Sequence, residues 1–264
     1  MRELFEQADK APSERNPMEA AQANMRAQLP KRFYKEVDVA PGGHGFAVLL
    51  DGRPVKTPGR NPLEFDNEAL AELVAAEWRA QQDVIDPQTM PVTRLANTAI
   101  DGVASDPQAV LEDILKYSAS DLMCYRAGSP QELVKKQAEA WDPIIDWLRD
   151  ELGANFVLAE GVMHVAQPRE AIAVFGARLK NHAGAGEGAL RLACLHTFTT
   201  LTGSAFLALA IAEKQMTAEE AWTAAHVDED WNIALWGEDR EAAARRSQRW
   251  AEMKAAGDVL AALA

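Results

Sequence analysis

Apolar and polar positions along this chain follow two different periods, and the change from one to the other divides it. Phe33-Tyr34-Lys35-Glu36-Val37-Asp38-Val39 alternates in part, as a half-buried strand does. Pro41 to Gly45 turns the chain, and Phe46 to Leu50 supplies a second strand. Asp51-Gly52 is a favoured two-residue hairpin turn, because both residues tolerate positive φ. Val55-Lys56-Thr57 begins the return strand, Pro58-Gly59 stops it, and Leu63-Glu64-Phe65 offers one more. Ahead of these strands, residues 1–30 are polar, rich in Ala, Gln and Glu, and punctuated by Pro12, Pro17 and Pro30. That pattern predicts a mobile arm or a loosely docked helix.

Beyond Phe65 the period is helical. Asp66 or Asn67 caps a helix running to about Gln82, with Leu70, Leu73, Val74 and Trp78 on its apolar side. An irregular stretch through Pro91 leads to a segment from Thr93 to Ile100, and Asp106-Pro107 opens a helix that ends near Ser120. Pro130 starts a longer one to Leu152, kinked at Asp142-Pro143. Residues 162–165 read as extended and 168–182 as helical. Leu190 to Ala212 is the most apolar stretch. His196 and the threonines at 197, 199, 200 and 202 make it a buried helix, bent or broken near Gly203-Ser204, rather than a membrane span. Thr217-Ala218-Glu219-Glu220 has the capping-box order and opens a helix that Gly237 ends, and a last helix runs from Glu238 toward Leu260. The expected fold class is α+β. Residues 31–90 form a small antiparallel β-rich domain with one helix, and residues 91–264 form a larger helical-bundle domain.

Charge narrows the partners. A net charge of −13 repels phosphate backbones, which argues against nucleic acid and suits a basic partner surface. Cys124 and Cys194 have no metal-ligand spacing and read as core thiols of a reducing compartment. The first thirty residues hold five acids and four bases without an apolar core. Neither a secretory signal nor a mitochondrial presequence has that make-up, so a cytoplasmic location is expected.

The densest chemistry lies between Thr217 and Glu241, where eight acids face a single Arg240 and Trp222, Trp231 and Trp236 sit among them. Read as one helix, Trp222, His226, Glu229, Ile233 and Trp236 share a stripe, while Asp228 and Asp230 point to the sides. Glu229 is then either a carboxylate set in an aromatic patch for a partner's Arg or Lys, or a group paired with Arg240 or Arg245. A metal at His226 and its neighbouring acids fits poorly, because adjacent helical residues diverge by about 100°. No phosphate loop, nucleophile elbow or paired catalytic acid supports an enzyme.

Several segments taken together resemble one family. They are Arg32-Phe33-Tyr34-Lys35, Leu50-Asp51-Gly52-Arg53-Pro54-Val55-Lys56-Thr57-Pro58, Glu77-Trp78 with Gln81, Met90-Pro91-Val92-Thr93-Arg94-Leu95, and Asn97 to Asp101. Asp121-Leu122 with Cys124-Tyr125, Trp141-Asp142-Pro143 and Asp228-Glu229-Asp230-Trp231 through Trp236-Gly237 complete the set. They are similar to the chaperones that bind the alpha subunit during assembly of the F1 part of ATP synthase, in mitochondria and alphaproteobacteria. The resemblance implies a non-catalytic bacterial protein without cofactor or metal. Such a protein, here a monomer, covers the beta-facing surface of a new alpha subunit until the beta subunit displaces it. It aligns the family's important acid with Glu229, and Asp228, Asp230, Trp222 and Trp236 join it as client-binding candidates. Trp78, Asp51, Gly52 and Pro91 are read as structural. The rival readings are a metal-dependent or other small-molecule enzyme using the His226 and Glu229 region, and a generic protein-interaction module.

Overall fold

The computed structural model describes residues 29–161, 163–184 and 186–263. The arm expected over residues 1–30 therefore lies, except for its last two positions, outside the described residues.

Strand β1 (Val37–Pro41) pairs antiparallel with β2 (Phe46–Leu50), placing Val39 opposite Val48. Two short strands, β3 (Arg53–Pro54) and β4 (Glu64–Phe65), both add to β2. The hairpin turn between β2 and β3 has φ of 48° at Asp51 and 76° at Gly52, the double positive φ that this turn type requires. The sheet departs from the expected strands in two places. Phe33 to Glu36 is not a strand, because side chains take its backbone groups. Arg32 donates to the carbonyls of Tyr34 and Lys35, while Asp51 Oδ1 accepts from the N–H groups of Lys35 (3.0 Å) and Glu36 (2.8 Å). The return strand occupies 53–54 rather than 55–57. Pro54 has no N–H for the ladder, and beyond it only Val55 N–H still reaches Val48 O, at 2.9 Å.

Helix α1 (Glu68–Ala80) lies on this sheet, capped by Asn67 Oδ1 from Leu70 N–H at 2.9 Å, and buries Leu70, Ala71, Val74 and Ala75. Nine further helices follow among the described residues: α2 (Pro91–Thr98), α3 (Pro107–Ser118), α4 (Gln131–Asp150), α5 (Arg169–Lys180), α6 (Gly188–Thr202), α7 (Ala205–Ala212), α8 (Ala218–Ala225), α9 (Val227–Trp236) and α10 (Arg240–Ala262). A π-helical turn over Ala99–Val103 extends α2. The core centres on α6 and α7, around which α3, α8 and α10 pack. Every residue from Ala205 to Ile211 is buried. Gly203, at φ 71°, ends α6 in the left-handed conformation, and Ser204 Oγ caps α7 by accepting from Leu207 N–H. Helix α4 continues through Pro143, which is exposed on its outer face. A parallel pair joins β5 (Tyr125–Arg126) to β6 (Ala159–Glu160). The strand thus falls before the expected 162–165, of which Val162 is outside the described residues and 163–165 form no strand.

Many of the motif residues are tethers between elements. Glu77 of α1 accepts from Val92 N–H, Thr93 N–H and Thr93 Oγ–H, each at 2.7 Å. It thereby caps α2 from another helix, next to Pro91, which needs no acceptor. Burial pushes the Glu77 carboxyl up and those three donors pull it back. Asp101 in the π turn accepts from Thr57 Oγ–H (2.6 Å), Gly59 N–H (2.7 Å) and Asn61 Nδ2–H (2.8 Å), fastening the sheet's loop to the helices. Fully buried Trp141 donates its indole N–H to Ala224 O at 2.7 Å, locking α4 to α8. Glu77→Ala removes a cap and is expected to cost about 1–2 kcal/mol in a urea titration. An unchanged midpoint with an unchanged slope would show that the cap contributes nothing.

Candidate functional site

The acidic tryptophan segment is two helices, not one. His226, at φ −107°, separates α8 from α9. Its imidazole Nδ1–H donates to Trp222 O at 2.7 Å, the carbonyl that its own backbone N–H would use in a continuing helix. That N–H bonds Thr223 O instead, and the helix tightens and stops. The stripe expected from Trp222 to Trp236 is therefore cut at His226. Trp222 turns inward, is 8% exposed, and stacks on His226 and Trp250 at centroid distances of 4.0 and 5.6 Å. The client-contact candidate Trp222 is therefore a buried residue of α8.

Helix α9 contains no fully buried residue. It packs against α4, with Val227 and Trp231 half-buried, while Leu235 (56% exposed) and Trp236 (85% exposed) project from its last turn. Its three acids stand in the first turn, where the helix dipole favours negative charge. Their surroundings differ. Asp228 Oδ1 accepts from Gln137 Nε2–H of α4 at 2.7 Å. Asp230 forms an ion pair with Arg246 of α10. Glu229, 43% exposed, lies 3.7 Å from His226 Nε2 and within electrostatic reach of Arg246, but forms no ion pair with Arg240, Arg245 or any other Lys or Arg among the described residues. Burial, helped by Arg246, holds the His226 imidazole below its ordinary pKa, against the Trp222 carbonyl and the nearby acids. That shift disfavours the imidazolium as a cation partner for Glu229, whose charge is felt instead by Arg246, the ion-pair partner of Asp230.

The other sequence-derived positions lie in the sheet region. Trp78 is half-buried, edge-on to Tyr34 at 5.6 Å, and its carbonyl accepts from Tyr34 Oη–H at 2.7 Å. Asp51 and Gly52 make the hairpin turn, and Pro91 begins α2. They are grouped around α1, away from the helix that carries Glu229. Sequence reasoning missed Gln137, Arg246 and Trp250, which sort the acids of α9. No local signal marks them, since Gln137 lies 91 positions from its partner.

A family model described as ATP12 chaperone protein matches residues 31–149. The structure of the Atu1473 protein of Agrobacterium tumefaciens, a proposed chaperone, shares 54% identity and superposes with a TM-score of 0.84, covering 96% of this chain and 93% of that one. Atp12 from Paracoccus denitrificans shares 39% identity with a TM-score of 0.79, over 88% of this chain and 97% of that one. The chain belongs to the ATP12 chaperone family. An aspartate-to-lysine mutant of the Paracoccus protein has the same identity and coverage, with a TM-score of 0.78. In this ATP12-family chain no group of three His, Cys, Asp or Glu side chains among the described residues is placed to hold a metal ion. No described helix is long and apolar enough to cross a membrane. Helix α9 thus presents Glu229, which has no Lys or Arg ion pair among the described residues, and two exposed apolar side chains, Leu235 and Trp236.

Proposed function

We propose that this chain binds the unassembled alpha subunit of F1-ATP synthase and shields its beta-facing interface until assembly, acting as a cytoplasmic bacterial monomer without cofactor or turnover. The observation that carries the reading is the sorting of the three acids. Asp230 is ion-paired with Arg246 and Asp228 is hydrogen-bonded to the Gln137 amide, whereas Glu229 has neither such partner among the described residues and shares its helix with exposed Leu235 and Trp236. An apolar anchor next to one unpaired carboxylate suits a client surface that pairs an apolar socket with an Arg or Lys. A subunit waiting for its neighbour exposes such an interface and aggregates if it is left uncovered. Membership in a chaperone family and solved relatives of that name support the role.

Co-purification tests it. The affinity-tagged chain, expressed in bacteria with the alpha and beta subunits, is expected to retain alpha and to release it when beta is added. Consistent absence of alpha from the eluate would sink the proposal.

A further inference from the structure

Three segments singled out in the sequence, around Phe33, Asp51 to Lys56 and Trp78, have no part in the α9 surface, yet they meet at one place. Phe33, Tyr34, Arg53, Lys56 and Trp78 line a pocket of about 510 Å³ at the edge of the sheet. Three observations point to a bound chain. Phe33 is 74% exposed although it packs edge-on to Tyr34 at 5.4 Å, so an aromatic ring stands at the rim with one side open. Trp78 has a buried indole N–H with no acceptor among the described residues, so re-orienting it toward a bound carbonyl breaks no hydrogen bond. Exposed Arg53 and Lys56, with exposed Lys35 close by on the same segment as Phe33, have no carboxylate within ion-pair distance among the described residues. The pocket's one acid, Asp51, accepts from the N–H groups of Lys35 and Glu36, and its charge is offset by Lys35 and Arg32. A chain of net charge −13 thus leaves Arg53 and Lys56 without an ion pair at an aromatic pocket. The family match over residues 31–149 contains every residue of this pocket and none of α9.

We propose that this pocket is a second client contact, taking an extended acidic segment of the alpha subunit that carries an apolar side chain. The assignment rests on the reading of the chain as an alpha-subunit chaperone. Phe33, Tyr34 and Trp78 receive the apolar side chain, and Arg53 and Lys56 pair with the flanking carboxylates. With a negative grip at Glu229 and a positive one here, the chaperone holds its client at two points of opposite sign, which fixes orientation as well as affinity.

The test uses the full chain with the photo-crosslinker p-benzoylphenylalanine at position 33, purified alpha subunit, and mass spectrometry of the irradiated product. The expected crosslink lies in an alpha-subunit segment with more Asp and Glu than Lys and Arg. The double variant Arg53→Glu with Lys56→Glu is expected to bind alpha at least about tenfold more weakly at an unchanged melting temperature. Binding at full strength by that variant overturns the inference, as does a crosslink to a basic segment or to residues of the chaperone itself. If alpha binds the wild type, is lost on Glu229→Lys and never crosslinks at position 33, this inference fails and the proposed function stands. If alpha does not bind the wild type, both fail.

Discussion

Asp121→Ala is expected to lower the stability of the fold by about 2–6 kcal/mol, because it strands two buried backbone donors at about 1–3 kcal/mol each. Asp121 is fully buried. Its Oδ1 accepts from Met123 N–H and its Oδ2 from Phe206 N–H, both at 3.1 Å, so one side chain caps the turn at Leu122–Cys124 and the start of α7 together. The α6–α7 break at Gly203 and Ser204 is therefore held from outside as well as by its own cap, and α7 is the most buried helix of the core. For a chain of this size, such a loss lowers Tm by at least about 5 °C, readable by calorimetry. Burial pushes the Asp121 carboxyl up to about 7, against donors from Ser204, Met123, Phe206 and Ala205. Its folded pKa thus lies above its unfolded value of about 4, and between the two the native state holds a proton that the unfolded chain has lost. The stability contributed by this group is complete below about pH 4 and declines as pH rises through about 7. The cost of Asp121→Ala should therefore be larger at pH 5 than at pH 8. A variant that melts with the wild type, or a cost that grows with pH, would refute this account.

Glu229→Lys is expected to abolish binding of the alpha subunit while the fold remains intact. The substitution sets a cation where the client brings its own, and the expected loss is about 2–5 kcal/mol of binding free energy, the range for a broken charge pair that water does not freely reach. The fold should tolerate it, because Glu229 is 43% exposed and forms no ion pair with a Lys or Arg among the described residues. Asp228→Asn should bind nearly as well, since an amide oxygen still accepts from Gln137. Asp230→Asn breaks the ion pair with Arg246 at the surface and should cost about 0–1 kcal/mol of stability. Titration calorimetry against purified alpha subunit, with matched circular dichroism and melting curves, separates these outcomes. A Glu229→Lys protein that is unfolded, or folded and binding normally, would remove Glu229 from its assigned role.

Much of the fold was legible because it rests on signals a few residues long. The Asp51-Gly52 turn, the Asn67, Asp106 and Thr217 caps, and the stop at Gly203 each depend on a side chain and a backbone group no more than four positions apart. The shift from period 2 to a helical period divided the strands from the helices for the same reason. Where a competing bond also came from nearby, local reasoning could still fail. The imidazole of His226 takes a carbonyl that the helix period assumes is free, and a single expected helix becomes α8 and α9.

The candidate site was legible only as a composition of acids and tryptophans. Periodicity drew attention to Glu229, but it could not show which acid is left without a partner, since that depends on what other elements bring. Gln137 reaches Asp228 from α4 and Arg246 reaches Asp230 from α10, while Trp250 draws Trp222 inward. The pocket at Phe33, Arg53 and Trp78 is likewise assembled from separate segments. The sequence by itself determined the hairpin turn, the helix caps and the change from a strand period to a helical one, because turn geometry, capping and periodicity are local. Only the tertiary structure decided which of the acids finds a partner within the chain, because folding brings that partner from another element, as far as 91 positions away.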